Sequence, residues 1–422
     1  MAKLQEQPAE FRPWQHGAIF LVACAILVSR RPDLVFHAQF YAEDGHTWYA
    51  DAYNLGWWPA LFRTWTGYFT MLQRLGASLA LLVPLALVPL LFNLIAIAFQ
   101  ALPANLLLTA RSSAWGSLRY RALLAGIYLA LPNCDEVTRS ITTAHWPLAL
   151  CAFMLLVASI PQNLAGRVFD IVIMLLCGLS GPFCIILLPI SIFLAWERRE
   201  SWRRIPAGVF AASCLVQSWA LLFLASSSRS YRALGATPEL FARIVGSQVY
   251  LGALFGTNWL SELTGLWPSI FLACVAMGGT VFVAICYLRS PMVMKLFLMF
   301  SAAVFACGLI APVEWASPTV PVWVVYAGVP GLRYWFFPTL AFAWSILWCF
   351  QNGGGVLKIV SALLLCLMCF GIIRDWHHPA FPETHFAESV KRFEAAPEGT
   401  IVTIQEHPEG WNMQLVKHPA GR

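Results

Sequence analysis

Two acidic pairs and one arginine are the residues of this sequence best suited to chemistry. Glu43 and Asp44 lie in FYAEDGHTWYADAYNLGWWPALFRTWTGYF, with Asp51 seven residues beyond Asp44 and Trp48, Tyr49, Tyr53, Trp57, Trp58, Trp65 and Tyr68 around them. An interfacial helix accounts for the aromatics, since Trp and Tyr collect at the headgroup level. It accounts poorly for adjacent carboxylates followed by Gly45, because an anchor for an anionic surface carries Lys or Arg. A carboxylate among aromatic rings suits sugar chemistry: it can act as general base on an acceptor hydroxyl while ring faces stack on a pyranose. Asp44 and Glu43 are therefore the catalytic candidates.

The second pair, Asp135 and Glu136, stands in LPNCDEVTRSITTAHWPL with Arg139, His145 and Trp146 behind it. Asn133 or Asp135 could simply cap a helix; alternatively Asp135, Glu136 and His145 orient an acceptor or hold a divalent cation through oxygen ligands, although the spacing is no recognised metal motif. Arg333 opens an apolar stretch in GLRYWFFP. Such an arginine either snorkels to the headgroups or grips phosphate oxygens bidentately, with the Tyr334 hydroxyl as a further donor. Arg229 and Arg232, with Arg243, add positive charge to a long loop, where they hold lipid phosphate or contact anionic headgroups; Arg63 and Arg74 carry the same alternatives. His37, His46, His377 and His378 lack metal-like spacing and read as solvated.

The elements that must position these groups follow from composition. Of 422 residues, 59% are hydrophobic and 11% charged, and the mean hydropathy is +0.67, against about 25% charged in an average soluble domain. That excludes a soluble enzyme and a disordered chain. Eleven of the twelve cysteines fall in apolar runs, which argues against a disulfide framework. A crossing needs roughly 20 apolar residues, and stretches near 15–30, 89–110, 119–132, 146–160, 167–180, 182–196, 205–225, 267–288, 294–312, 332–350 and 356–373 predict an all-α polytopic membrane protein with about eleven transmembrane helices. Gly17 to Ser29 reads as a retained first helix rather than a cleaved signal.

Arg111, Arg119, Arg121, Arg167, Arg198, Arg199, Arg203, Arg204, Arg289, Lys295 and Lys358 gather on one side, which the positive-inside rule makes cytoplasmic. The net charge of +6 thus needs no nucleic acid to explain it. The N-terminus is then inside, the C-terminus outside, and both acidic pairs outside. The stretch Leu72 to Leu91, broken by Pro84 and Pro89, reads as a bent hairpin or surface helix, because a further crossing would invert the basic loops. The chain divides into a membrane unit, 1–373, with a first outer loop at 31–74 and a third at 226–266, and a small outward tail, 374–422. In the third loop a surface helix is expected from Pro238 to Phe255. The tail predicts a short helix near His385–Glu394 and a hairpin of 400–405 and 411–417 about His407-Pro408-Glu409-Gly410.

No GxxxxGK[ST], GxGxxG after a strand, HExxH or nucleophile elbow occurs. The sequence resembles the GT-C class of integral-membrane glycosyltransferases, particularly the bacterial polyprenyl-phosphate-sugar-dependent enzymes that modify surface glycans. The resemblance lies in one N-terminal span before a large outer loop with Tyr41-Ala42-Glu43-Asp44-Gly45. It continues through the acidic second loop ending in His145-Trp146, the Arg333-Tyr334 entry to a late helix, and the outward tail with Pro408-Glu409-Gly410-Trp411-Asn412-Met413-Gln414-Leu415. It implies transfer, usually inverting, of a sugar from a polyprenyl-phosphate carrier to a glycan or lipid acceptor on the outer face of a bacterial inner membrane. Carried over to these positions, Asp44 is the base with Glu43 as its alternative, Arg333 neutralises the departing phosphate, and Asp135 or Glu136 orients the acceptor or a cation. The rival readings are a transporter or flippase of lipid-linked saccharides, which would place ionisable residues near the midplane, and a polymerase sharing the same carrier.

Overall fold

Helices occupy each of the eleven apolar stretches in the computed structural model, which describes residues 11–224, 233–263, 265–313 and 319–419. They are α1 (Pro13–Arg30), α2 (Val88–Leu107), α3 (Leu118–Leu129), α4 (His145–Val157), α5 (Leu164–Gly178), α6 (Phe183–Arg198), α7 (Arg204–Phe223), α8 (Ser269–Arg289), α9 (Met292–Ile310), α10 (Phe336–Asn352) and α11 (Gly355–Arg374). Five helical runs, Leu85–Leu107, Ser201–Phe223, Ser269–Arg289, Met292–Ile310 and Gly355–Arg374, are long and apolar enough to cross a membrane by length and composition. With one two-stranded sheet among the described residues, the architecture is that of an all-α membrane protein.

Local chemistry sets the helix ends. Ser117 caps α3 and Asn163 caps α5, the latter accepting from the Gly166 amide at 2.8 Å, so donors without an intrahelical partner are satisfied. At C-termini the orphan carbonyls are taken by arginines. Arg30 donates to Leu129 and Leu131 at the end of α3, both at 3.0 Å; Arg203 donates to Leu156 and Ala158 at the end of α4, at 2.7 and 2.9 Å; Arg121 reaches Leu107 at 2.9 Å. Several scarce cations are therefore structural caps, where a positive group also meets the negative end of the helix dipole.

Helices α4 and α10 form the core. Every residue from Trp146 to Val157 in α4 is buried, as is most of Phe336–Leu347 in α10, which is how a helix apolar on all sides must sit. Aromatic side chains of α9 bridge them: Phe300 stacks on Phe153 of α4 at 5.2 Å, and Phe297 lies 4.6 Å from Trp344 of α10. Peripheral helices instead expose leucine and isoleucine, including Leu215 and Leu222 on α7, Ile270 and Leu288 on α8, and Val356 and Ile359 on α11, the surface a bilayer would cover.

At one end lie the loops that carry the acidic pairs. Between 71 and 91 the chain forms a ten-residue helix, Met71–Ala80, and a 3₁₀ turn, Leu85–Leu87, leading into α2. Ten residues rise only about 15 Å, half a hydrocarbon core. The segment expected to be one surface helix is on the surface only at its start and becomes interior from Ile244. It runs as Pro238–Arg243, a π-helical turn Ile244–Leu251 with every residue buried, and Gly252–Leu263, kinked at Gly256. Gln248 is buried there, its side-chain amide donating to the Ala327 carbonyl at 3.0 Å while its backbone carbonyl accepts from the Asn133 side-chain amide at 2.6 Å.

The tail contributes a helix, Phe386–Ala395, and antiparallel strands β1 (Ile401–Glu406) and β2 (Trp411–Val416), with Ile404 opposite Met413 and Glu406 opposite Trp411. Ile404, Met413 and Leu415 are buried beside Phe386, Val390 and Phe393. Asn54 of the first loop exchanges hydrogen bonds with the Gln414 carbonyl and the Val416 amide, both at 2.9 Å.

Candidate active site

The loop bearing Glu43 is held as a strand edge. The Ala42 amide donates to the His407 carbonyl at 2.6 Å and the His407 amide to Phe40 at 3.1 Å. Ala42 adopts a left-handed conformation, φ 51°, uncommon for a residue with a Cβ, and the chain enters a π-helical turn, Asp44–Tyr49. The two neighbouring carboxylates then part. Glu43 lines a cavity and is half-buried. Asp44 is 1% exposed, its Oδ1 accepting from the Thr142 amide at 3.2 Å and hydroxyl at 2.7 Å. Burial pushes its carboxyl well above the ordinary range, with the Thr142 hydrogen bonds opposing. The Trp48 indole donates to the same Thr142 hydroxyl at 2.8 Å, which ties the first loop to the second.

The second loop is zipped to the approach of α10. The Glu136 amide donates to the Gly331 carbonyl at 3.0 Å, the Gly331 amide to Asn133 Oδ1 at 2.7 Å, and the Arg333 amide to Glu136 Oε2 at 2.7 Å. Gly331 has φ 78°, which its lack of a side chain permits. The Arg333 guanidinium pairs with Glu136 Oε1, reaches the Val313 carbonyl at 2.6 Å, and sits 4.9 Å from the Tyr334 ring centre. The Tyr334 hydroxyl donates to the Val313 carbonyl at 3.0 Å.

Asp135 faces away from the cavity into a buried ion cluster. Arg31 donates to it at 3.1 Å, Arg139 grips its other oxygen, and His378 lies 3.4 Å away. Burial alone would raise this carboxyl, but the cations outweigh burial and hold it at about 2. Burial drives His378 down to about 4, so at neutral pH the neutralising charges are the two guanidinia. Arg139 also donates to the Tyr41 hydroxyl at 2.9 Å and reaches the cavity wall.

The cavity encloses about 610 Å³, within the usual range for small-molecule sites. Glu43, Glu136, Arg139, His145, Arg333 and Tyr334 line it, as do Tyr41, Trp48, Trp65, Tyr68 and Trp411; apolar residues of α6, α7 and α9, among them Ile186, Leu221 and Val304, complete the wall. Gln73 Nε2 lies 3.0 Å from His145 Nδ1 and donates to the Thr142 carbonyl at 2.9 Å. Of the residues singled out from sequence, Glu43, Glu136, His145, Arg333 and Tyr334 thus meet at one cavity, Asp44 and Asp135 stand behind its wall, and Arg229 and Arg232 lie outside the described residues. Arg139, Thr142, Gln73 and Trp411 join the site. Arg139 had a signal in its place four residues after Asp135, and Trp411 in the tail motif; Thr142 and Gln73 had none, because their partners Asp44 and His145 are distant in sequence.

Three further expectations change. His46 and His378 are not solvated: His46 Nδ1 sits 2.6 Å from Glu406 Oε1, and His378 is buried. Arg74 does not reach headgroups; it is 1% exposed, pairs with Asp51 at 2.7 Å and lies over the Trp48 ring. A cation at the second acidic pair meets an unsuitable donor set, since Asp135 and Glu136 are each gripped by arginine. Among the described residues no three His, Cys, Asp or Glu side chains converge as metal ligands.

No family model matches the chain, and no curated protein matches it. Among solved structures it is similar to the Archaeoglobus fulgidus oligosaccharyltransferase in the apo form, with 13% identity over 92% of this chain and 59% of that one, at a TM-score of 0.45. It is likewise similar to the archaeal oligosaccharyltransferase AglB from Archaeoglobus fulgidus in complex with an inhibitory peptide and a dolichol-phosphate, at 11% identity, the same coverages and a TM-score of 0.45. The chain therefore spans about three fifths of the length of these proteins.

Proposed function

We propose that this chain is a membrane glycosyltransferase that moves a sugar from a polyprenyl-phosphate carrier to an acceptor hydroxyl, with Glu43 as general base. The observation that carries this reading concerns Glu43 itself. Among the described residues it is the cavity-lining carboxylate with no cation and no hydrogen-bond donor on it, whereas Glu136 is held by Arg333. A base must be free to take a proton.

The geometry supports a direct displacement. The acceptor O–H gives its proton to Glu43, the oxygen attacks the anomeric carbon, and the bond from that carbon to the phosphate oxygen breaks, inverting the centre. The leaving phosphate gathers charge where Arg333 stands, and a fixed guanidinium stabilises charge as it develops. The Ile186, Leu221 and Val304 wall suits the isoprenoid chain of a donor arriving from the bilayer. His145 and Glu136 orient the reactants, Glu136 by fixing Arg333. The tail and the acidic loops then face outward from a bacterial inner membrane, with the arginine-rich loops in the cytoplasm.

The test is reconstitution. Purified full-length protein in lipid nanodiscs is given synthetic polyprenyl-phosphate sugars, and free polyprenyl phosphate is measured with and without saccharide acceptors. Acceptor-stimulated release supports the transferase; protein-driven movement of intact donor across sealed vesicles with no release would replace it by a flippase.

A further inference from the structure

The C-terminal hairpin is not a passive cover, because Pro408 and Trp411 line the cavity. Two independent ties fix them beside Glu43. The end of β1 is bonded to Phe40 and Ala42, immediately before Glu43. Glu406, directly opposite Trp411 in the ladder, is buried and accepts from the His46 amide at 3.1 Å and pairs with its ring at 2.6 Å. The His46 ring in turn meets Trp411 edge-on at 4.9 Å and Trp65 at 6.0 Å. Trp411 and Trp65 are each half-buried, and among the described residues the Trp411 indole N–H meets no acceptor.

The cavity is therefore polar in two senses. Its hairpin side presents indole faces with the Glu43 carboxylate, and its other side presents Arg333 beside the apolar wall of α6, α7 and α9. An anionic acceptor would be repelled by Glu43, and an aliphatic one would leave Glu43 and the indole N–H without partners, which is costly in a desolvated site. A pyranose satisfies both: its C–H face covers an aromatic ring, and its hydroxyls reach the carboxylate and the indole donor.

We infer that Trp411 and Trp65, held by the C-terminal hairpin against the Glu43 loop, form an acceptor subsite for a neutral pyranose. This rests on the transferase reading for the word acceptor, but binding is measurable without turnover. Full-length protein in nanodiscs is mixed with the methyl glycosides of galactose, glucose and mannose, and with methyl glucuronoside, and saturation-transfer NMR is recorded. Ring protons of at least one neutral glycoside receive saturation at least threefold above the glucuronoside. Trp411→Leu, which keeps an apolar strand residue but removes the ring, lowers that signal at least fivefold, Trp411→Phe restores part of it, and Trp58→Leu, an exposed tryptophan outside the cavity, leaves it unchanged.

No saturation of any neutral glycoside, preference for the glucuronoside, or an undiminished signal in Trp411→Leu overturns the subsite. Donor cleavage by the same preparation separates the two claims: cleavage without glycoside contact removes the subsite alone, and glycoside contact without cleavage of any donor removes the transferase alone.

Discussion

Replacing each member of the first acidic pair by its amide should separate two carboxylates one residue apart. In Glu43→Gln the cavity keeps its shape, since Glu43 makes no ion pair or side-chain hydrogen bond among the described residues, but the base is gone. General-base catalysis contributes about 10²–10⁴-fold, or roughly 3–5 kcal/mol of barrier at about 1.4 kcal/mol per decade. In Asp44→Asn the amide oxygen can still accept from the Thr142 amide and hydroxyl, now at 3.2 and 2.7 Å. Hydrogen bonds to a charged acceptor exceed neutral ones by about 1 kcal/mol each, so two lose roughly 2 kcal/mol. Against that, the charge no longer has to be buried. Because burial raises the folded carboxyl above its ordinary value of 3.8, the native state is favoured by protonation: its contribution is present below the unfolded value and lost as pH rises through the folded one. The amide has no charge to bury, which offsets the weakened hydrogen bonds, so the unfolding temperature stays near that of the parent; and because Asp44 stands behind the cavity wall, kcat falls less than about tenfold, or ~1.4 kcal/mol of barrier. The assay is single-turnover release of polyprenyl phosphate, with thermal unfolding followed in parallel. Asp44→Asn as inactive as Glu43→Gln, at unchanged unfolding temperature, would refute the assignment and return the base to Asp44.

Arg333→Lys should raise the donor KM about tenfold, or ~1.4 kcal/mol, because a lysine cannot reproduce the planar fork that meets Glu136 and Val313 together; an unchanged donor KM removes its phosphate role. Burial pushes the His46 ring down, but Glu406 and nearby carboxylates more than offset this and leave it raised above 6.5. Its stabilisation is thus complete below 6.5 and lost as pH rises through the higher folded value, so hydrogen exchange in β1 and β2 should quicken over that window. Glu406→Gln should cost about 1–3 kcal/mol and flatten the dependence; an identical pH profile in the variant contradicts the latch. Since arginines occupy both carboxylates of the second pair, activity in excess EDTA should match that in magnesium; a loss restored by magnesium would reinstate the cation.

How much of this was legible in sequence depends on the range of the interaction responsible. Apolar run length, a local property, marked the places of all eleven helices, and the scarcity of charge drew attention to Glu43, Glu136 and Arg333, which do share a cavity. Which of two adjacent carboxylates faces that cavity is not local. It follows from the left-handed Ala42, a π-helical turn, and a threonine 98 positions away. Residues 238–255 read as one surface helix, but the Gln248 amide donates to Ala327 and its backbone carbonyl accepts from Asn133, contacts invisible to periodicity. Trp411 belongs to a hairpin whose docking on Asn54, His46 and Ala42 is decided by hydrogen bonds to groups more than 350 positions earlier.

The paired charges explain why the cavity can exist beside a membrane. A buried, unpaired ion is destabilised by several kcal/mol, so a site with five or more ionised groups must neutralise most of them internally. Here Asp135 is balanced by Arg31 and Arg139, Glu136 by Arg333, and Asp51 by Arg74. Each pair also carries mechanical work: Asp135 and Arg139 fix Tyr41, and Glu136 and Arg333 lock the second loop to the start of α10. Rigid helices α4 and α10, both buried, carry those loops at their N-terminal ends, so the reacting groups inherit the core's rigidity. With Asp135 and Glu136 paired and Asp44 enclosed behind the wall, Glu43 is, among the described residues, the carboxylate that faces the cavity without a counterion. The same neutralisation predicts that removing Arg139 should lower the unfolding temperature more than Glu43→Gln, because it leaves one oxygen of buried Asp135 without its cation, with Arg31 alone on the other, while Glu43→Gln breaks no pair.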